Sequence, residues 1–314
     1  MNKVTIIGTG SVGSTIAYTM AVNGIASEIV MIDINEEKAL GEALDIRQGT
    51  PFCAPVSIYA GSYRDAVGSD IVVITSGIAR KPGQSRLDLA QTNVNITKKI
   101  IPDIVRYAPE AKYVIVSNPV DILTYVFNKV SGLPESQIIG SGTILDTARL
   151  RSRLSEYYSI SQQNVHAYVF GEHGDSSFVP WSLANISNIP IDEYQNSISH
   201  HQGLFPALNH DEIENYIRKS GGRIIERKGA TFYAVAISVC HICKCLLSGA
   251  DTTMTVSSMM HGEYGIDDVC LSTLSLVGPE GIRGKILSPL TDEEIVLLNK
   301  SADCLKDIIR NLTI

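Results

Sequence analysis

The sequence has little of what several classes of protein require. Six cysteines are scattered over 314 residues, which is too few for a disulfide scaffold and favours a reducing cytoplasm. Basic side chains are in the minority, with 26 Lys and Arg against 33 Asp and Glu and a formal net charge of −7. Such a chain has no overall electrostatic attraction for nucleic acids or anionic membranes, so we expect neither as a partner.

A continuous apolar segment long enough to cross a membrane is also missing. The uncharged stretch 4–27 follows Lys3 and superficially resembles a signal peptide or a membrane span, but glycines, serines and threonines interrupt it. We interpret it as a buried strand followed by a helix. Hydrophobic residues at 44% and charged residues at 19% predict a soluble, folded globular protein.

Strand and helix patterns alternate along the first half of the chain. Short β-branched runs predict buried strands, and helical segments lie between them; the predicted strands are Val4–Ile7, Glu28–Asp33, Pro55–Tyr59, Asp70–Thr75 and Lys112–Ser117. Near-continuous apolar strands that alternate with helices are typical of a parallel sheet covered on both faces. The first half is therefore predicted to be an α/β domain with a parallel sheet, covering residues 1–142.

The pattern changes from about Gln163 onwards. A strand at Val165–Phe170 is followed by a mostly helical region, Asp211–Leu247, with breaks expected at its glycines Gly221, Gly222 and Gly229. Three later runs predict an antiparallel meander before a closing amphipathic helix; these segments are Asp251–Met260, Val269–Val277, Gly284–Leu287 and Thr291–Leu312. We expect a second, mixed α+β domain over residues 143–314.

A glycine-rich motif follows the first predicted strand. Gly8, Gly10 and Gly13 form G-x-G-x-x-G and open a helix that includes Val12. The three glycines permit a tight turn, an approach of pyrophosphate to the backbone and close helix–strand packing, and the helix N-terminus attracts phosphates. Asp33 ends the second strand, where a carboxylate accepts hydrogen bonds from the ribose and repels a 2′-phosphate. These residues predict a Rossmann domain that binds NAD rather than NADP.

A candidate for acid–base chemistry lies in the glycine-flanked loop Gly171–Ser176. Its His173 titrates near neutrality when free, which suits proton exchange with an alcohol or a ketone. Asp146 and Arg149 are three residues apart on a predicted helix and so share a face. They form a local ion pair, or the acid orients a histidine while the guanidinium binds a substrate carboxylate. The spacing leaves both interpretations open.

These motifs together resemble the lactate/malate dehydrogenase family over essentially the whole chain. The matching segments are Gly8–Gly13, Lys81–Gly83 with Arg86–Leu89, Ser117–Asp121, Leu145–Arg149, Gly171–Ser176 and Lys228–Thr231. The last two, with Pro180–Ser182, are similar to the bacterial L-lactate branch. The resemblance implies an enzyme that transfers a hydride between NAD and a small 2-hydroxy or 2-oxo acid, in a homotetramer.

The resemblance also implies roles for single residues. His173 would exchange the proton, held in orientation by Asp146. Arg149 would bind the substrate carboxylate, and Arg86, on a lid loop, would polarise the reacting carbonyl.

Three further residues would complete the substrate site. Asn118 would hydrogen-bond near the carbonyl and the nicotinamide, and Thr231 would line the pocket. Arg80 departs from the lactate branch, which generally has glutamine there, whereas malate enzymes have an arginine that pairs with the second carboxylate of oxaloacetate. The whole-chain resemblance favours lactate and Arg80 favours malate, so malate dehydrogenase is the alternative.

Two residues match an effector site. Arg151 and His166 occupy positions that bind fructose 1,6-bisphosphate across a subunit interface in allosteric bacterial lactate dehydrogenases. The other interpretation is an ordinary surface arginine and a strand histidine.

Other patterns point away from the predicted function. The cysteines and histidine of Cys240–Cys245 lie in an apolar helical stretch without a second ligand pair, so we expect structural cysteines and no metal. Tyr125 and Lys129 match the Tyr-x-x-x-Lys of short-chain dehydrogenases, but the glycine pattern is not theirs. An inactive nucleotide-sensing module would keep Gly8–Gly13 and Asp33 without the chemical residues.

Overall fold

The computed structural model describes residues 2–78, 86–199 and 208–314. Within these ranges, nine strands form one sheet. The strands are β1 (Lys3–Ile7), β2 (Glu28–Ile32), β3 (Ser57–Ala60), β4 (Ile71–Ile74), β5 (Lys112–Ile115), β6 (Ile138–Gly140), β10 (Thr252–His261), β11 (Asp267–Gly278) and β12 (Gly281–Lys285). A small second sheet contains β7 (Val165–His166), β8 (Asn185–Ile186) and β9 (Ile189–Pro190).

The first six strands are parallel to one another. Their order, 3-2-1-4-5-6, is that of a doubly wound dinucleotide-binding sheet. The strands β10, β11 and β12 form an antiparallel meander that continues the same sheet, because Ser257 of β10 pairs with Gly140 of β6. The predicted Rossmann sheet and C-terminal α+β region are therefore confirmed.

Helices cover both faces of the large sheet. They are α1 (Ser11–Val22), α2 (Glu36–Gly49), α3 (Arg86–Tyr107), α4 (Val120–Ser131), α5 (Ile144–Tyr158), α6 (Ile191–Tyr194), α7 (His210–Lys228), α8 (Tyr233–Leu246) and α9 (Asp292–Arg310). Successive residues of a strand point to opposite faces: Val72 and Ile74 pack with α3, α4 and α9, whereas Ile71 and Val73 pack with α1 and α8. A third hydrophobic cluster joins α5 and α7 to the small sheet.

Two details of the second half differ from the sequence prediction. The helix α7 continues through Gly221 and Gly222 and ends only at Gly229, which has a positive φ of 82°. Buried Ile213 and Ile217 pack this helix into the third cluster, and that packing outweighs the low helix propensity of glycine. The predicted strand Val165–Phe170 is also shorter, because ladder pairing ends at His166.

The division after residue 142 remains a prediction. The meander of the second half extends the sheet of the first, and α8 packs on the same face of that sheet as α1. Among the described residues, no helix combines the length and apolarity that a membrane crossing needs.

Candidate active site

The glycine motif forms a turn between β1 and α1. Gly8 has a φ of 97°, and a Cβ there would lie 2.7 Å from the backbone nitrogen of Ser76. A Cβ on Gly13 would lie 1.9 Å from the Gly8 carbonyl oxygen. A Cβ on Gly10, at the N-cap of α1, would meet nothing within 4 Å. The packing of the protein requires glycine at positions 8 and 13. Gly10 borders open space at the N-terminus of α1, and Val12 is half-buried in the first turn of that helix. This cradle fits a pyrophosphate.

Asp33 lies beside the glycine turn, just after β2. Its Oδ2 accepts the Thr9 backbone N–H at 2.6 Å, and its Oδ1 accepts the Asn35 backbone N–H at 3.0 Å. Burial by itself raises the pKa of the Asp33 carboxyl, but these hydrogen bonds bring the pKa below its ordinary value. The ionised carboxylate is a hydrogen-bond acceptor for ribose hydroxyls and repels a 2′-phosphate.

Asp146 joins the candidate acid–base residue to the candidate substrate-binding residue. The His173 Nδ1 lies 2.6 Å from Asp146 Oδ2, and Arg149 Nη1 donates to Asp146 Oδ1 at 2.9 Å. The exposed fractions of the side chains are 26% for His173, 9% for Asp146 and 14% for Arg149. Asp146 therefore pairs with both Arg149 and His173, and the substrate-binding role of Arg149 stays a prediction.

Electrostatics in this group favour the charged histidine. The negative charge of Asp146 raises the pKa of His173 to about 9, although burial opposes the shift. Burial raises the pKa of the Asp146 carboxyl, but the nearby His173 and Arg149 outweigh it and keep that pKa below its usual value. The imidazole is therefore in its charged form at neutral pH and has a proton available for donation.

Side chains of other elements hold the backbone of the histidine loop through hydrogen bonds. Asp121 at the start of α4 accepts the His173 backbone N–H at 2.8 Å, and the Ser257 hydroxyl donates to Asp121 at 2.6 Å. The Ser301 hydroxyl of α9 accepts the Glu172 backbone N–H at 2.8 Å. Sequence reasoning assigned no role to these residues. Asp121 was visible at the end of a recognised motif, whereas the two serines carry no sequence signal.

A cavity opens beside the imidazole. His173 and Asn118 line it together with residues that the sequence analysis gave no role, from the end of β5, the segment after β6, the start of α5 and α8. These further residues are Val116, Ser141, Gly142, Ile144, Leu145, Val235, Ser238 and Val239. Val116 and Asn118 follow the carboxyl end of β5, and Ser141 and Gly142 follow that of β6. Ligands bind at this edge in open α/β sheets, and the glycine turn follows β1 at the same edge.

Asn118 is supported by a residue that sequence reasoning missed. The amide of Asn93, a 2% exposed residue of α3, donates to the Asn118 carbonyl at 2.7 Å. The same amide exchanges two hydrogen bonds with the backbone of Ile78, at 2.9 and 3.2 Å. Asn93 thus fixes Ile78 relative to Asn118, which lines the cavity.

The remaining predicted substrate residues are less fully described. Thr231 is half-buried in the segment between α7 and α8, four residues before the cavity residue Val235. Arg86 begins α3, and only its backbone is described. Arg80 lies outside the described residues.

The two predicted effector residues lie on and beside β7. His166 is exposed on β7, and Arg151 donates from Nε to the carbonyl of the next residue, Ala167, at 3.0 Å. The Arg151 guanidinium also lies 5.1 Å from the centre of the Tyr168 ring.

The competing motifs lie elsewhere. Cys240, Cys243 and Cys245 are buried free cysteines of α8, and no metal-binding group of His, Cys, Asp or Glu occurs within the ranges that the structure covers. Tyr125 and Lys129 both contact Asp268 on β11, with Lys129 Nζ 2.6 Å from its carboxylate. Neither lines the cavity beside His173.

Comparison with known proteins covers both halves of the chain. Residues 2–140 match the lactate/malate dehydrogenase NAD-binding domain, and residues 143–313 match the alpha/beta C-terminal domain of the same family. The chain is 48% identical over 314 residues to the L-lactate dehydrogenase of Acetivibrio thermocellus, covering 100% of this chain and 98% of that protein. It is 48% identical over 317 residues to that of Thermoanaerobacter pseudethanolicus, covering 100% of both.

Solved structures give the same result. The minor L-lactate dehydrogenase of Enterococcus mundtii, in a ligand-bound form, superposes with a TM-score of 0.93 at 36% identity, covering 100% of this chain and 99% of the other. A lactate dehydrogenase from a deep-sea metagenome also gives 0.93 at 36% identity, covering 99% and 98%.

Proposed function

The chain belongs to the lactate/malate dehydrogenase family, and on that premise we propose that it is an NAD-dependent L-lactate dehydrogenase. It reduces pyruvate with NADH and a proton to L-lactate and NAD⁺, and catalyses the reverse. The observation that carries this function is the 2.6 Å contact between His173 Nδ1 and Asp146, beside a cavity at the cofactor edge of the sheet. Full-length relatives named L-lactate dehydrogenase favour lactate over malate.

The protein supplies position, charge and the proton. When bound, the nicotinamide supplies the hydride to the 2-oxo carbon or accepts it from lactate. Gly8, Gly10, Val12 and Gly13 hold the pyrophosphate at the start of α1, and Asp33 holds the adenosine ribose.

His173 exchanges the proton through Nε2, because its Nδ1 faces Asp146. In pyruvate reduction the imidazolium donates to the developing alkoxide, and in lactate oxidation the neutral imidazole removes the hydroxyl proton. Asp146 fixes the ring orientation and stabilises the charged form. The reaction direction that needs a protonated histidine is therefore favoured below the pKa of about 9.

Arg149 binds the substrate carboxylate. A guanidinium has five N–H donors, and the bond to Asp146 uses one of them. Arg86 polarises the carbonyl, Asn118 hydrogen-bonds beside the nicotinamide, and Thr231 lines the pocket. What supports these roles is the match of each residue to its family motif.

Activity with the reduced substrates tests this function. Purified protein with NAD⁺ is given L-lactate, D-lactate or L-malate, and NADH formation is followed by absorbance. We expect L-lactate to be oxidised most efficiently and D-lactate hardly at all. His173→Ala should lower the rate about 10²- to 10⁴-fold, and the variant should still bind NADH. A wild-type enzyme that oxidises only L-malate would overturn the lactate assignment.

Malate is the second candidate because of Arg80. A guanidinium facing the distal end of the substrate would pair with the second carboxylate of oxaloacetate and would be desolvated without a partner opposite the methyl of pyruvate. The full-length relatives favour lactate, so we expect Arg80 to leave pyruvate as the preferred substrate.

We further propose a cytoplasmic homotetramer that responds to fructose 1,6-bisphosphate. The effector would bind beside β7, near Arg151 and His166, since a guanidinium and an imidazole N–H both donate hydrogen bonds to a phosphate. Titration of the sugar bisphosphate at subsaturating pyruvate should sharpen the substrate curve, and light scattering should give the mass of four chains. An unchanged curve would refute the effector site.

A further inference from the structure

A second carboxylate is built into the support of the histidine loop. Asp121 lies in the first turn of α4 and is 2% exposed. Its Oδ2 accepts the His173 backbone N–H at 2.8 Å, and its Oδ1 accepts the Ser257 hydroxyl at 2.6 Å. One carboxylate thus connects α4, the histidine loop and β10.

This contact gives His173 a second fixed point. Asp146 holds the ring at Nδ1, and Asp121 holds the main chain of the same residue. With both the ring nitrogen and the backbone nitrogen fixed, the imidazole has little freedom to shift relative to the cavity. A displacement of about 1 Å in a reacting group can cost about 10²-fold in rate.

Position 121 carries a buried carboxylate, although a neutral side chain could make the same backbone contact. Burying an ionised group is costly unless it is hydrogen-bonded and compensated, and a neutral amide could accept the same N–H. Two hydrogen-bond donors and the charge of His173 stabilise the ionised form of Asp121. Since protonated His173 is the form that donates in pyruvate reduction, a second negative charge stabilises the working state of the enzyme.

The neighbouring charged groups act in different directions. Burial raises the pKa of Asp121 to about 6, while Ser257, the His173 N–H and the His173 charge oppose this and Glu172 adds to it. The Asp121 charge in turn raises the pKa of His173, as Asp146 does more strongly, while Arg149 lowers it. On β11, Cys270 is a buried thiol whose pKa burial and Asp121 both raise, so it stays neutral.

We propose that Asp121 is a positioning residue of the proton transfer, whose buried carboxylate fixes the His173 main chain and supplies a second negative charge to the imidazole. This inference rests on the proposed dehydrogenase function. If Asp121 were only a structural anchor, it would hold the loop equally well without its charge, and the titration of His173 would not change when that charge is removed.

One substitution removes the charge of Asp121, and a second removes a hydrogen bond that holds the Asp121 carboxylate in place. Asp121→Asn keeps the shape and an oxygen acceptor for the His173 N–H but loses the charge. Ser257→Ala keeps the carboxylate on His173 and removes one of its two hydrogen bonds. Ser258→Ala is the matched control, because Ser258 is the adjacent buried serine of β10 and its hydroxyl has no hydrogen-bond partner among the described residues.

The readouts are kcat, the pyruvate KM, NADH binding and the titration of the His173 ring protons by NMR. For Asp121→Asn we expect kcat to fall about ten- to a hundredfold, with the KM and NADH affinity within about twofold of wild type. The His173 titration and the high-pH limb of pyruvate reduction should both move to lower pH. Ser257→Ala should lower kcat by less and leave the titration near that of wild type, because the Asp121 carboxyl, with a pKa of about 6, stays ionised where His173 titrates. Ser258→Ala should match wild type.

Several outcomes would overturn the inference. If Asp121→Asn keeps the wild-type kcat and the wild-type His173 titration, Asp121 is not a positioning residue. If Asp121→Asn loses kcat while the His173 titration does not move, Asp121 is a structural anchor only. If Asp121→Asn does not fold, Ser257→Ala decides, and a kcat identical to that of Ser258→Ala refutes the positioning role. A wild-type protein without pyruvate reduction would instead refute the proposed function, and the NMR titration would still test Asp121.

Discussion

Replacing Asp146 by asparagine should lower the pyruvate-reducing activity by a much larger factor at pH 8 than at pH 6. The Asp146 charge is the largest cause of the His173 pKa of about 9, against an ordinary value of 6.5. That difference corresponds to roughly 3 kcal/mol in favour of the imidazolium, at about 1.4 kcal/mol per unit. Without the charge, the pKa of His173 should return to about 6.5 or below.

The expected loss follows from the protonated fraction of His173. At pH 8 that fraction falls from about 0.9 to about 0.03, which is roughly a thirtyfold loss, and at pH 6 it falls only from about 1 to about 0.8. The asparagine amide also disturbs the ring orientation, which multiplies the loss at every pH and brings the total toward 10²–10⁴. The ratio of wild-type to variant activity should therefore shrink about twentyfold or more between pH 8 and pH 6.

Steady-state pyruvate reduction, followed by NADH absorbance from about pH 6 to about pH 10, measures this ratio. The wild-type rate should decline as the pH rises through about 9, and lactate oxidation should rise over the same range. Asp192→Asn is the control, because Asp192 pairs with His210 at 2.8 Å outside the cavity and its loss should change neither profile. A wild-type to Asp146→Asn ratio that does not change with pH would refute the electrostatic role of Asp146, and near-normal activity would refute the His173–Asp146 pair.

Further predictions concern the cofactor turn and the substrate. Gly13→Ala should lower stability by about 1–3 kcal/mol, seen as a lower Tm, because its Cβ would lie 1.9 Å from the Gly8 carbonyl. Gly10→Ala should keep the wild-type Tm and weaken NADH binding; equal effects of the two variants would contradict this account of the cradle. Asp33→Asn should raise the NADPH-to-NADH ratio of kcat/KM by about tenfold or more, and an unchanged ratio would show that Asp33 does not contact the ribose. Arg80→Gln should change the pyruvate-to-oxaloacetate ratio of kcat/KM by less than about tenfold, and a reversed preference would make Arg80 the specificity residue.

Local sequence signals predicted the parts of the protein that depend on local physics. The parallel strands follow β-branched runs, and the glycine turn needs a positive φ at Gly8 and close packing at Gly13, both of which the spacing encodes. The antiparallel meander was likewise predicted from three apolar runs. His173 and Asp146 were singled out by residue type and position, and the family resemblance brought them together.

Parts that depend on contacts between distant residues could not be predicted. Asp121 and Ser257 are 136 positions apart, and no local pattern marks such a pair. The cavity residues of α8 are invisible for the same reason, because Val235 and Val239 look like core positions of any apolar helix. The continuity of α7 through Gly221 and Gly222 depends on packing against α5 and the small sheet, which local propensity does not contain.

A comparison of kcat/KM for pyruvate with kcat/KM for oxaloacetate at neutral pH decides whether pyruvate reduction with NADH is the preferred reaction of this chain. We expect a higher kcat/KM for pyruvate, because a full-length relative is named L-lactate dehydrogenase and a solved L-lactate dehydrogenase has the same fold as this chain. A kcat/KM that is higher for oxaloacetate by an order of magnitude or more would contradict the account and would show that Arg80 determines the substrate.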